Sequence, residues 1–159
     1  MTFYNLLKKA IENINAPADL YVFDEVRFAN ASQNFERAAI NLNPDFTSKV
    51  NKTPSAQLLT DYSLKIKFVD RDEWDNSNVN QIGYSEGTLA IIERMRILAN
   101  SILFNIFMDK NNYSPSQSLK PRLWTFKNIL PHNINTMSGV ECSLNITLVD
   151  KRVCEYKNV

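Results

Sequence analysis

Apolar residues recur at helical spacing from the start of the chain. Phe3, Leu6, Leu7, Ala10, Ile11 and Ile14 follow Thr2, a residue suited to capping a helix N-terminus. The pattern predicts a short amphipathic helix that stops at Asn15 and Ala16, before Pro17. Leu20 to Phe28 is rich in aromatic and β-branched residues and reads as a strand, and Arg37 to Leu42 reads as another, ended by Asn43-Pro44. The stretch from Pro44 to Ala56 is polar and broken by two prolines, which predicts a loop. Tyr62, Leu64, Ile66 and Phe68 then alternate with Ser63, Lys65 and Lys67, the period of a half-buried strand.

Residues 70–83 are polar and irregular. Ser85 offers an N-cap for a helix running from about Glu86 to Lys110, roughly 38 Å long at 1.5 Å per residue. Ile91, Ile92, Met95, Leu98, Ala99, Ile102 and Ile106 form its stripe. Leu103, Phe104 and Phe107 widen that stripe, so the second half is expected to be covered on more than one side. Leu119 to Leu130 reads as a strand around Trp124 and Phe126. After a loop carrying His132 to Ser138, Val140, Cys142, Leu144, Ile146 and Leu148 alternate with Glu141, Ser143, Asn145 and Thr147 in a last strand. The order is helix, two or three strands, long helix, two strands. One long helical connection among hairpins and loops predicts an α+β fold: a mostly antiparallel sheet, one long helix packed across it and a short N-terminal helix.

At 159 residues the chain suits one domain, 1–159, with a single core. The 44% hydrophobic and 22% charged fractions are those of a globular protein. The longest apolar stretch, Ile97 to Met108, is interrupted by Asn100 and Asn105 and is shorter than the roughly 20 residues a membrane span needs. The N-terminal apolar run ends at Lys8, well short of a signal-peptide core. These features predict a soluble protein made in the cytosol and no membrane partner. A net charge of +1 predicts no strong field toward nucleic acid or anionic surfaces.

Three Gly, one His and two Cys leave little material for well-marked catalytic motifs. Gly83 and Gly87 are the nearest pair of glycines, and Thr88 stands where a phosphate-binding loop places its lysine. The acidic run Asp70-Arg71-Asp72-Glu73-Trp74-Asp75 departs from a calcium loop at Trp74, an oxygen-ligand slot, at Asp75, the turn glycine, and at Gln81, the bidentate Glu. His132 has no G-x-S-x-G to supply a nucleophile and reads as an exposed turn residue. Cys142 and Cys154 do not form a zinc or disulfide framework, and Cys142 falls on the inward face of its strand as a small buried thiol. Lys65 and Lys67, with Lys120, Arg122, Lys151 and Arg152, read as solvated surface at this net charge. The reading is of a protein without cofactor, metal or catalytic residues. A small enzyme and a nucleic-acid-binding module are the alternatives, marked respectively by a pocket of convergent polar groups and by steeply salt-dependent binding.

The order of elements resembles the tail-terminator, tail-completion and head-to-tail connector ring proteins of tailed bacteriophages, most closely those of phages of Bacteroides-type hosts, including the crAss-like group. The likeness lies in Tyr62 to Asp70, the polar loop and helix from Ser85, and the terminal region: His132 to Val140, then Leu144-Asn145-Ile146-Thr147-Leu148, then Cys154. Phe28 to Ala56 is longer than a minimal terminator needs, which leaves open which ring is meant. The resemblance implies a structural virion protein, not an enzyme, assembled as a hexameric or dodecameric homo-oligomer. Its neighbours would be portal, connector or tail proteins, with DNA only as passing cargo. Intersubunit contacts are then expected from the 70–83 loop, with Asp70, Arg71, Asp72, Glu73, Trp74 and Asp75, and from the 44–57 arm, with Lys49, Asn51 and Lys52. Both stretches are longer than the usual connection of about 4–6 residues.

Overall fold

The two alternating segments are neighbours in the computed structural model of the chain, which describes residues 3–52, 58–72, 86–108, 124–131 and 136–149. The elements are α1 (Phe3–Asn13), β1 (Ala18–Tyr21), α2 (Glu25–Ala31), a 3-10 turn (Ser32–Asn34), β2 (Ala38–Leu42), β3 (Thr47–Lys52), β4 (Leu58–Arg71), α3 (Glu86–Met108), β5 (Thr125–Ile129) and β6 (Met137–Val149). They form an α+β fold in which the sheet runs β1-β2-β4-β6-β5, with β3 also paired to β4. Every pairing is antiparallel except β1 with β2.

β4 and β6 are joined in continuous register from Leu59 opposite Val149 to Arg71 opposite Met137. Alternation then sorts their side chains. Leu64, Ile66, Phe68, Val140, Cys142, Leu144 and Ile146 face one way and pack with Ile40 and Leu42 of β2 against α1 and α3. α3 contributes Ile92, Met95, Ala99, Ile102, Leu103, Ile106 and Phe107 to that core, and α1 contributes Phe3, Leu6, Leu7, Ala10 and Ile11. Burial of this apolar surface is the main stabilising term of the fold.

α1 ends as its sequence predicts. Asn15 takes the left-handed conformation with φ 49, the Asn15 N–H donates to Glu12 O, and the Ala16 N–H donates to Ile11 O. That pair of bonds satisfies two of the last helical carbonyls.

Two expectations are corrected. Leu20 to Phe28 is not one strand: β1 ends at Tyr21 and α2 begins at Glu25. The Asp24 carboxylate accepts the Arg27 N–H at 2.8 Å, a helix cap that outweighs the aromatic and β-branched composition. α2 and the following turn cover one end of the second sheet face, where Phe28 and Phe35 pack on Ala39, Val69 and Met137. The 44–56 stretch is not a loop throughout, because residues 47–52 form β3. Both faces of β3 are largely exposed, so it needs no apolar side, and its cross-strand bonds to β4 hold it. The predicted strand from Leu119 is present from Thr125, with 119–123 outside the described residues. Lys110 and His132 also lie outside them.

β2 and β3 are two halves of one bent strand along the same edge of β4. Between the pairs Leu42–Ile66 and Thr47–Ser63 the chain advances five residues on one side and three on the other. Pro44, without an N–H, lies in this bulge, and the Asp45 N–H donates to Asn43 Oδ1 at 2.9 Å instead of to a strand.

Gly139 is fixed by contact. A Cβ on it would lie 1.9 Å from Phe68 O and 2.8 Å from Val69 Cα, both backbone atoms of β4. Gly139→Ala is therefore expected to cost about 3 kcal/mol, because the β4–β6 ladder must separate to admit one methyl. Chemical denaturation measures this, and a loss under about 0.5 kcal/mol would contradict the close approach.

Candidate functional site

The expected contact residues fall into two groups at opposite ends of β4. Lys49, Asn51 and Lys52 lie on β3, opposite Asp61, Leu59 and Leu58 respectively. Asp70 and Arg71 end β4 and Asp72 follows it. From Asp61 to Asp70 the strand spans about 30 Å at 3.3 Å per residue. Glu73, Trp74 and Asp75 lie outside the described residues.

At the Asp70 end the carboxylates are used within the chain. Asp72 is 4% exposed, and one of its oxygens, Oδ2, accepts Thr88 Oγ and Ser138 Oγ, each at 2.6 Å. Its N–H donates to Thr136 O at 2.6 Å. A single carboxylate thus ties the end of β4 to the first turn of α3 and the start of β6. The two hydroxyl donors offset much of the cost of burying its charge, and the positive end of α3 adds to them. Asp72 belongs to this chain's own framework rather than to a contact with a neighbour. Arg71 donates from Nη2 to Phe35 O at 3.1 Å, and Asp70 pairs with Arg94 of α3.

That Asp70–Arg94 pair borders a groove of about 900 Å³. Ile14, Pro17, Met95 and Leu98 are among the apolar residues lining it, and Glu36 and Arg37 stand on its rim. Arg37 also pairs with Asp19 at 3.4 Å. Ile97, 57% exposed, leads from the groove onto the outer side of α3. There Ala90, Ile97 and Phe104 recur every seven residues, with Met108 one turn further, and both Phe104 and Met108 are 62% exposed. The sequence pattern expected Phe104 to be covered along with Leu103 and Phe107. The structure buries those two and leaves Phe104 outside. Among the described residues, Trp124 covers that end of α3: its ring stacks on Phe107 at 5.4 Å, and Nε1–H donates to Asn100 Oδ1 at 3.1 Å.

At the other end of β4, the sheet face turned away from α3 is polar. Thr47, Lys49, Asp61, Ser63, Asn145 and Thr147 line a shallow depression of about 360 Å³. Asp61 is satisfied there by Asn51, whose Nδ2 donates at 2.7 Å, and by the Thr147 hydroxyl. Ser63 Oγ donates to Asn145 Oδ1 at 2.8 Å. Among the described residues no group of three or more His, Cys, Asp or Glu is placed to hold a metal ion, and no helix is long and apolar enough to cross a membrane.

Sequence reasoning missed Thr88, Ser138, Arg94 and the outer stripe of α3. Ala90, Ile97 and Phe104 carry a seven-residue spacing visible in the chain, but the stronger stripe through Ile102 and Ile106 conceals it. The hydroxyl partners of Asp72 have no signal, since Ser138 is 66 residues away.

Asp72→Ala leaves two buried hydroxyls without their acceptor and is expected to cost about 3 kcal/mol. Asp61→Ala, at a half-exposed site, is expected to cost under about 1 kcal/mol. Equal losses in urea unfolding would mean that Asp72 does not join the three elements. Burial also pushes the Cys142 thiol up from 9.0 to about 12. The folded state therefore favours the neutral thiol, so this contribution to stability is complete below pH 9.0 and is lost as pH rises toward about 12. Cys142→Ala should remove this part of the alkaline fall in stability, as measured by melting between pH 8 and 11. An unchanged alkaline slope would contradict the burial of the thiol.

Compared with known proteins, the sequence matches no protein-family model and no curated protein.

Proposed function

We propose that this chain is a structural virion protein that forms a closed ring at the head-to-tail connection of a tailed bacteriophage. It does so by homo-oligomerisation and by docking to portal or tail proteins. The observation that carries the proposal is the outer stripe of α3, where Ile97, Phe104 and Met108 stand more than half exposed beside the groove. Apolar side chains gathered on one helix face mark a protein contact more often than a solvated surface.

Two further features support it. The short N-terminal helix, the antiparallel sheet and the long helix lying across it are the arrangement that the resemblance to connector ring proteins implies. The chain also presents different surfaces at the two ends of β4, an apolar groove beside Asp70 and a polar depression beside Asp61. A ring built from one subunit type needs two unlike, complementary surfaces on each copy, so that every contact repeats head to tail and closes.

Imaging of the assembled particle tests the proposal. The expected result is a closed ring of six or twelve copies with Ile97, Phe104 and Met108 covered by a neighbour. The double variant Ile97→Asp, Phe104→Asp should melt within about 3 °C of the parent, because both sites are exposed, yet fail to enter the ring. A lone copy without symmetric neighbours, or a variant that assembles as well as the parent, would overturn it.

A further inference from the structure

The sheet ends in two unlike edges. β1 closes one side of the strand order and β5 the other, and among the described residues each has a single strand partner, β2 and β6 respectively. β1 runs parallel to β2, whereas β2 with β4, β4 with β6 and β6 with β5 are antiparallel, so β1 and β5 run in opposite directions. Rotation about a ring axis that lies along the strands keeps the direction of every strand. β5 of one copy therefore arrives antiparallel beside β1 of the next, as a closed two-sided ladder requires.

The faces match as well as the directions. Leu20 and Phe126 are half-buried and pack toward the α1–α3 core, so Asp19 and Lys127, their neighbours in sequence, lie on the opposite sheet face. An antiparallel pair with Asp19 opposite Lys127 sets Leu20 opposite Phe126 and Tyr21 opposite Thr125. One position beyond the strand, Val22, 44% exposed, falls beside Trp124. Lys127 is exposed and forms no ion pair with a described residue, because Glu141, opposite it within the chain, faces Lys67 at 4.0 Å. Asp19 accepts Arg37 Nη1 on Oδ1 at 3.4 Å, and a carboxylate accepts on both of its oxygens. We infer that β5 of one copy docks on β1 of the next, with Asp19 paired to Lys127 of the neighbouring copy. The sheet then continues from subunit to subunit around the ring.

The other pairings of outer strands fit less well. Centred β5–β5 pairing sets Lys127 against its own copy, and centred β1–β1 pairing does the same with Asp19. Both are two-fold contacts that join two copies and do not extend to a third. β3 is the third edge with one strand partner among the described residues. Beside β5 it brings Lys49 and Lys127 to one sheet face, and neither strand carries an acidic residue. Beside β1, Lys49 opposite Asp19 sets Leu20 against Ser48 and Ala16 against Lys52. The β1–β5 pair joins opposite charges on one face and apolar side chains on the other. This inference rests on the ring proposal and names the strands by which its copies join.

The test is made on the assembled ring of the full chain with a water-soluble carbodiimide, which joins a carboxylate directly to an amine in contact with it. Within one chain Asp19 and Lys127 stand four strand spacings apart, about 19 Å, so a direct link between them can form only between copies. Mass spectrometry of the digested ring should find the Asp19–Lys127 link. Lys127→Glu should melt within about 3 °C of the parent, because the site is exposed, and assemble at least about tenfold less, because Asp19 then meets a like charge. Lys127→Arg keeps the charge and should assemble like the parent. A closed ring without the Asp19–Lys127 link, a ring linked through Asp19 and Lys49 instead, or a Lys127→Glu variant that assembles as well as the parent would overturn this inference and leave the ring proposal standing. A chain that forms no ring would overturn both.

Discussion

The continuous ladder between β4 and β6 is the constraint on which the other elements depend. Its register runs unbroken from Leu59–Val149 to Arg71–Met137, so a slip of one residue would move Leu64, Ile66 and Phe68 of β4 to the polar face. Gly139 allows the ladder to close near its Asp72 end, because no side chain fits between it and Phe68 O. Asp72 then fastens that end by accepting hydroxyls from α3 and β6. The long helix is thereby placed by one hydrogen-bonded carboxylate at its start and by apolar packing along its length. The polar contact contributes direction where the apolar surface contributes most of the free energy.

The two faces of the sheet have different fates for the same reason. The α1–α3 face is apolar along both long strands and is covered over most of their length. The second face is apolar only near Val69, Ala39 and Met137, and α2 covers that end. Asn41 joins the cover to the sheet: it accepts the Phe23 N–H at 2.9 Å and donates to Phe23 O at 3.1 Å. Lys67 extends this join, lying 5.3 Å from the Phe28 ring centroid and 3.7 Å from Glu25. Beyond it the face carries Ser, Thr, Asn and Lys side chains and remains open.

What this framework leaves uncovered bears on function. α3 is long enough to bury one side against the sheet and still present Ile97, Phe104 and Met108 outward. β4 is long enough to separate the groove beside Asp70 from the polar depression beside Asp61. β1 accompanies only the first half of the β2–β3 edge, because the chain turns into α2 after Tyr21. Each of these surfaces is a geometric consequence of length and bending, and none requires a catalytic group.

Local pattern determined much of this architecture. Strict alternation in 62–68 and 140–148, a long helical stripe from 86, and the helix stop at Asn15-Ala16 before Pro17 were legible because each depends on residues adjacent in sequence or one turn apart. They are sufficient for the α+β class and for most of the core, including Cys142. Where two local signals competed, the weaker-looking one prevailed: the Asp24 cap formed α2 against the aromatic content around it. The tertiary structure alone decided the rest. β3 is a strand because β4 offers it a hydrogen-bonding edge, which its own polar residues do not announce. Asp72 is buried because Thr88 and Ser138, 16 and 66 residues away, arrive with hydroxyls. Phe104 is exposed while Leu103 and Phe107 are buried, since covering a helix face depends on what packs there and not on how apolar it is.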